Sequence, residues 1–338
     1  MKRHHTLRIA YFLIPFSFFL VFSCEVDRSS IGAEYPAEKN YYHINDYDYI
    51  KNRYFFIDQY YRDRYEKGYS DDLMLWTYEK GTLIRELNVY HTGYLPNTPA
   101  RKGVATIPSR IKEYENLPNI DGVESYPGEV EKGLFAPLNE GTDYQYNYAQ
   151  GYFWLKWPVK PTEILAVSYR TDNDTIGTLQ SMISNDDSTQ FYVLRLIKST
   201  GRGYNPNVWP LMMRNVYFLG DSNYVREGFN INILKKENES TVQEVEPKKS
   251  FAHLLGLDLT DENGAVIDNG DGQVDNNYYL CNRHTGILMF PGIQPFDPLD
   301  DSRFQIADTN RVNQYNTPDS QEMIASSKFK IIVQYIKK

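Results

Sequence analysis

The chain of 338 residues carries 36 Lys and Arg against 44 Asp and Glu, a formal charge of −8, together with 29 Tyr, 17 Phe, 4 Trp and 2 Cys. An acidic balance with no basic block excludes a nucleic-acid surface, because affinity for the phosphate backbone comes from clustered Lys and Arg. With 41% hydrophobic and 15% aromatic residues the composition is too apolar for disorder, and two cysteines cannot staple a disulfide scaffold.

In chain order, the first 23 residues read as a bacterial export signal: a basic start (Lys2, Arg3, Arg8), an apolar stretch from Ile9 to Phe22 and the small Ser23 before Cys24. The apolar stretch falls short of the ~18 residues expected of a membrane-spanning helix. VFSC resembles the lipobox of bacterial lipoproteins, so residues 1–23 are expected to be a lipoprotein signal peptide and Cys24 the site of lipid attachment. Removing residues 1–23, which hold three positive charges and no acid, takes the formal charge from −8 to −11. Cys281 is then left without a partner and reads as a small buried hydrophobe. Glu25 and Asp27 resemble the acidic export tags of surface lipoproteins in Bacteroidota. The expected location is an outer-membrane lipoprotein facing the periplasm or the cell surface.

Residues 24–45 are polar and aperiodic and read as a tether. The remainder, 46–338, is a β-rich region with a candidate division into 46–135 and 136–338. FFIDQYYRDRYEKG, ending at Gly68, spaces Ile57, Tyr61 and Tyr65 four apart and predicts a helix. Strands are predicted over Leu83–His91, Tyr152–Trp157, Glu163–Arg170, Phe191–Lys198, Phe229–Ile233, Gly286–Phe290 and Lys328–Ile336, each alternating or rich in β-branched and aromatic residues. Trp209–Gly220 fits a helix, with Pro210 at its start and Met212, Val216 and Leu219 at helical intervals, nearly as well as it fits a strand. Thr317 as cap and Pro318 at the first position predict a short helix over Ser320–Ser327. The fold class is therefore mainly β, a jelly-roll-like β-sandwich with two or three short helices.

Chemical motifs are sparse. The loop Ile267–Asp275 offers Asp268, Asp271 and Asp275 as oxygen donors with Gly at the turns, a candidate calcium site, although an EF-type loop would have Ile267 and Tyr278 where carboxylates belong. Asn-Gly-Asp-Gly is also ordinary turn chemistry. The histidines fit no zinc spacing, and no P-loop, GxGxxG or GxSxG is present. The acid pairs Asp71/Asp72, Asp186/Asp187 and Asp300/Asp301 are expected to point apart into water, as adjacent acids do in a strand or loop, whereas a glycosidase needs its carboxyls facing each other. No enzyme activity and no cofactor other than possible Ca²⁺ are expected. The many Tyr open an alternative, a surface glycan-binding lipoprotein in which aromatic faces stack on sugars.

Seven collinear segments carry a resemblance: Leu83–Gly93, Glu140–Arg170, Leu194–Gly220, Leu254–Leu259, Asp271–Asp275, Thr285–Phe296 and Tyr315–Ile331. Together they resemble the extramembrane, N-terminal region of the SprA (Sov) family, the giant outer-membrane translocon proteins of type IX secretion and gliding motility in Bacteroidota. WPLMMRNVYFLG and GILMFPGIQPF are the most specific pieces. The resemblance implies a non-catalytic module, here a short lipoprotein, that acts as a structural or protein-binding component of a type IX-like secretion or gliding apparatus. Family members are several times longer and contain a very large barrel, whereas this sequence lacks the long series of lipid-facing strands a pore needs. Its partners are expected to be the membrane, through lipid on Cys24, and proteins of that assembly. Trp209, Met212 and Met213 are the candidate contact residues, because aromatic and Met side chains dominate protein contacts.

Overall fold

The computed structural model describes residues 38–337 except 71–74, 94–98, 185–188, 202, 238–239, 243, 247–248 and 298–314, and leaves the side chains of 236–249 undescribed. The signal peptide, Cys24 and the acid pairs Asp71/Asp72, Asp186/Asp187 and Asp300/Asp301 therefore lie outside the described residues. Residues 39–45, assigned to the tether from composition, form a strand that pairs along its whole length with Phe329–Ile336. The suggested division at 135/136 falls inside the Val130–Pro137 strand. From Glu38 onward the chain belongs to one structural unit.

The mainly β expectation holds, with strands in several sheets and a few short helices. Five strands close on themselves. Leu165–Arg170 pairs with Tyr192–Lys198, which runs parallel to Arg101–Thr106; that strand pairs with Val130–Pro137, then Glu86–His91, which returns to Leu165–Arg170. Closure satisfies backbone donors and acceptors that an open edge leaves free. These pairings form a barrel-like sheet and do not by themselves make a jelly-roll sandwich.

Alternation sorts the side chains of this ring into separate cores. Tyr90, Ala105, Phe135, Ala166, Tyr192, Leu194 and Leu196, drawn from all five strands, share one buried cluster. Their neighbours Val89, Leu165, Val167 and Ile197 belong to the large aromatic core, while Val104 and Val193 pack on the short Ile111–Glu115 helix through Ile111 and Tyr114. Two tyrosines, Tyr90 and Tyr192, fill the ring with centroids 4.7 Å apart. Gly103, opposite Gly133 in register, makes the room: a Cβ on Gly103 would lie 2.8 Å from the Phe135 ring.

A four-stranded sheet, in the order Lys39–Asn45, Phe329–Ile336, Asn230–Glu237, Ser240–Val242, turns Phe329, Ile331 and Val333 into the aromatic core. The predicted helix near 60 spans Gln59–Gly68 and buries Tyr61 and Tyr65. Its N-cap is Asp58, whose Oδ1 accepts from Tyr60 N at 3.0 Å. The last helix spans Ser320–Ser326, with Asp319 as the cap in place of Thr317: Asp319 Oδ1 accepts from Gln321 N and Glu322 N, while Thr317 Oγ1 accepts from Asp319 N. The carboxylate reaches two free amides, which a hydroxyl does less well. Trp209–Gly220 takes neither form throughout. A single 3₁₀ turn at Trp209–Leu211 leads into the Val216–Phe218 strand, because Met213 N is drawn to Tyr54 O and Ile50 N to Val216 O.

Candidate functional site

The most specific of the resembling segments, Trp209–Gly220, forms one wall of a cavity of about 240 Å³. Residues 49–55 form a second wall. Asn52, in the left-handed region at φ 57°, turns the chain so that its N–H donates to Met212 Sδ at 3.2 Å, and Phe55 bridges to Met212. Asn tolerates this conformation better than a branched residue. The end of the Tyr192–Lys198 strand supplies Ile197 and Lys198, and the last helix supplies Met323. Thr200, Gly201, Gly203, Lys51 and Pro318 are exposed and form the mouth.

Among the described residues that line this cavity, Lys51, Lys198 and Arg214 are the cations and none is Asp, Glu, His or Cys. Lys198 Nζ donates to Pro161 O, Glu163 O and Ser199 O at 2.8–3.0 Å, which uses all three of its protons. Burial brings its pKa down to about 8. Lys51, also lowered by burial, has Met323 Sδ at 3.8 Å and the Tyr49 ring at 5.4 Å near its ammonium, with Asp48 and Arg214 acting on its charge in opposite senses. Arg214 is 4% exposed. Its Nη1 donates to Met212 O at 2.9 Å and its Cζ lies 4.4 Å from the Trp209 ring centre; Nε and Nη2 are fully buried and make no close hydrogen bond among the described residues, with the Tyr49 side chain as their polar neighbour. Burial holds its pKa below the usual value, with Tyr49 as a compensating neighbour.

The predicted contact residues share this region but differ in access. Trp209 and Met212 are half-buried and line the cavity; Met213 is 1% exposed and packs in the core. The Trp209 indole N–H donates to Tyr315 O at 2.8 Å. Sequence reasoning singled out the apolar residues here and passed over Arg214, Lys51 and Lys198. The available signal was an arginine inside an otherwise apolar segment.

The candidate calcium loop is organised differently. Asp258, 1% exposed, accepts from Asp271 N and Gly272 N at 2.9 and 3.0 Å, and burial raises its pKa. Asp275 accepts from Leu259 N, Thr260 N and Thr260 Oγ1, and Asp271 accepts from Gln273 N. Asp268 is exposed. Carboxylates here anchor backbone amides of two adjoining turns. Among the described residues, no group of three or more His, Cys, Asp or Glu side chains is placed to hold a metal ion.

Beside this loop lies a cleft of about 480 Å³ with Arg226, Asn276, Asn277 and Arg283 on its walls. Tyr278 and Tyr279, 64% and 63% exposed, stand edge to face at its rim with centroids 6.3 Å apart. Among the described residues, no helix is long and apolar enough to cross a membrane. No protein-family model and no curated protein matches the chain.

Proposed function

We propose that the protein is a lipid-anchored outer-membrane component, held through Cys24, that works without catalysis by binding other proteins of a type IX-like secretion or gliding assembly. One observation supports this most: the segments resembling the SprA family are neighbours in space as well as in order. Leu83–Gly93 and Glu140–Arg170 supply the strands Glu86–His91 and Leu165–Arg170, which pair over six residues. Leu194–Gly220 and Thr285–Phe296 supply Val216–Phe218 and Ile287–Met289, which pair in turn. A likeness of fold implies no particular activity, so the partner is argued from surface features, chiefly Trp209 and Met212.

Within this reading, the four-stranded sheet and the outer face of the barrel form two layers over the aromatic core, the sandwich-like element expected from sequence. Ile331 and Val333 from one, and Val89 and Val167 from the other, share that core.

Affinity capture through a tag on the full chain tests the role: recovery of barrel or ring components of the secretion apparatus supports it, and their absence under cross-linking rejects it. A thiol count tests the anchor. Burial pushes the Cys281 thiol up to about 12, so it is unreactive in the native state. An acylated chain therefore shows no reactive thiol when native and one when unfolded; two thiols on unfolding would reject lipidation of Cys24.

Glycan binding is the second reading, favoured by the exposed Tyr278 and Tyr279 at a cleft with amide and guanidinium groups. Saturable binding on a glycan array that is lost with Tyr279→Ala supports it.

A further inference from the structure

A strand at the edge of a sheet carries one row of backbone N–H and C=O groups that the sheet does not use, and natural folds blunt such edges with Pro, charge, a bulge or a cover. Lys39–Asn45 is the longest strand at an open sheet edge among the described residues. It pairs with Phe329–Ile336 in unbroken register along its whole length and contains neither Pro nor a bulge. Asp46 N donates to Phe329 O at 3.3 Å, which fixes the alternation: Asn40, Tyr42 and Ile44 bond to the neighbouring strand, and Lys39, Tyr41, His43 and Asn45 turn their backbone groups outward. Asp48 Oδ2 takes the outward N–H of Asn45 at 3.0 Å. The outward groups of Tyr41 and His43 have no partner among the described residues.

Side chains leave this edge accessible. Tyr41 and Tyr42 are 54% and 43% exposed, and His43 is exposed. The Tyr42 ring rests on Gly220, where a Cβ would lie 2.5 Å from it, so a glycine is what lets the ring lie flat beside the edge.

We infer that this edge pairs with the same edge of a second copy of the chain, antiparallel about a two-fold axis at Tyr42, and joins the two four-stranded sheets into one continuous sheet. The register follows from which backbone groups are open. Tyr41 faces the partner's His43 as a hydrogen-bonded pair, and Tyr42 faces the partner's Tyr42 as a non-hydrogen-bonded one. Aromatic rings then meet at the centre, and Lys39 meets the partner's Asn45, so no like charges are opposed within the strand. Any extended strand can use the open donors; the symmetry of the aromatic residues about Tyr42 is what selects a second copy.

The tether favours the same pairing. Residues 25–38 allow a span of at most roughly 50 Å between Cys24 and the strand. In this register the two Lys39 residues lie only about 20 Å apart along the strands, so both copies can be anchored in one membrane plane while paired. Anchored chains also meet at a raised effective concentration. This supporting point rests on lipidation of Cys24; the pairing itself does not.

The test is disulfide trapping together with sedimentation of the full chain in mild detergent. Residues directly opposed in a non-hydrogen-bonded pair lie close enough for a disulfide. Oxidation of Tyr42→Cys should therefore give a covalent dimer, whereas Tyr41→Cys, offset by two positions from its own copy, should give severalfold less. Wild type under the same oxidant controls for Cys24, and Cys281 is buried. Tyr41→Pro removes one outward N–H and none of the bonds to Phe329–Ile336, so it should shift the sedimenting dimer to monomer at equal loading. Equal trapping at the two positions, a wild type that sediments as monomer at every loading, or a dimer unchanged in folded Tyr41→Pro would overturn the inference. A monomer that forms a complex only with another protein would overturn it as well and assign the edge to a strand of that protein. If Tyr41→Pro does not fold, the trapping ratio between Tyr42→Cys and Tyr41→Cys decides the matter.

Discussion

Asp58 connects the first helix to the barrel, and replacing it with Asn isolates the charge in that link. Arg195 sits on a barrel strand with its side chain 2% exposed, and its Nε donates to Asp58 Oδ2 at 3.1 Å. Asp58 Oδ1 at the same time caps the Gln59–Gly68 helix. Asn caps a helix as well as Asp does, so Asp58→Asn keeps the cap and removes the counter-charge. Stripping one partner from a buried ion pair costs about 3–5 kcal/mol. Because Asp58 is 15% exposed and Asn retains an acceptor, the expected loss is nearer ~2–3 kcal/mol. At about 2–3 °C per kcal/mol for a chain of this size, the midpoint of thermal unfolding falls by roughly 4–9 °C. Arg195→Met leaves Asp58 with its cap and with water, so its loss is smaller, under ~2 kcal/mol. The double variant should then be no less stable than Asp58→Asn alone, a strongly non-additive cycle. Urea unfolding followed by far-UV circular dichroism, with equal slopes across the four proteins, measures it. An Asp58→Asn loss below about 0.5 kcal/mol, or a double variant equal to the sum of the singles, would show that the pair does not tie the helix to the barrel.

Two further predictions follow from the barrel and the cavity. Gly103→Ala places a methyl against Phe135 and Tyr192 and should cost about 1–3 kcal/mol, whereas Gly122→Ala, with open space around its Cβ position, should stay within about 0.5 kcal/mol; equal effects in urea melts would refute the tight interior of the ring. Lys198, with its pKa depressed to about 8 from 10.5, contributes stability that is present above pH 10.5 and lost as the pH falls through 8, because the folded state binds its proton less readily than the unfolded chain does. Unfolding free energy in the wild type should therefore gain between about pH 8 and 10.5 relative to Lys198→Met, and parallel profiles would show that the lysine is not desolvated.

The strands that period and composition identified are present because their apolar residues alternate and both faces find a core. EILAVSYR is an example, with Leu165 and Val167 facing the aromatic layer and Ala166 facing the ring. Arg101–Thr106 and Val130–Pro137 were missed. Their paired glycines, Gly103 and Gly133, lower strand propensity locally, yet they are what allows two tyrosines to share the ring. Closure of the sheet was also illegible, since register between strands far apart in sequence leaves no local trace. Trp209–Gly220 was balanced between helix and strand, and pairing with residues 49–56 decided it, a tertiary contact outweighing local spacing. In the candidate site, Trp209 and Met212 were visible as anchors. Arg214 was not, because the burial of a lone cation in an apolar run, and its seat against Tyr49 and Trp209, are seen only in space.

The two buried arginines make that contrast concrete. Arg195 and Arg214 both border the large aromatic core and both are nearly inaccessible, but the chain sets a carboxylate beside the first and only the Tyr49 hydroxyl, a backbone carbonyl and the Trp209 ring, among the described residues, beside the second. Asp58 shows that this fold can deliver a counter-charge to a buried guanidinium while also capping a helix. That no acid among the described residues pairs with Arg214 therefore does not follow from any general inability of the core to host one. The cavity that Arg214 lines falls where three separate parts of the chain meet: the turn at Asn52, the end of a barrel strand at Lys198, and the helix carrying Met323. A buried guanidinium with no acid among the described residues beside it at such a junction is held by the Met212 carbonyl, the Tyr49 hydroxyl and the Trp209 ring, so its burial costs stability that Arg195 recovers from Asp58.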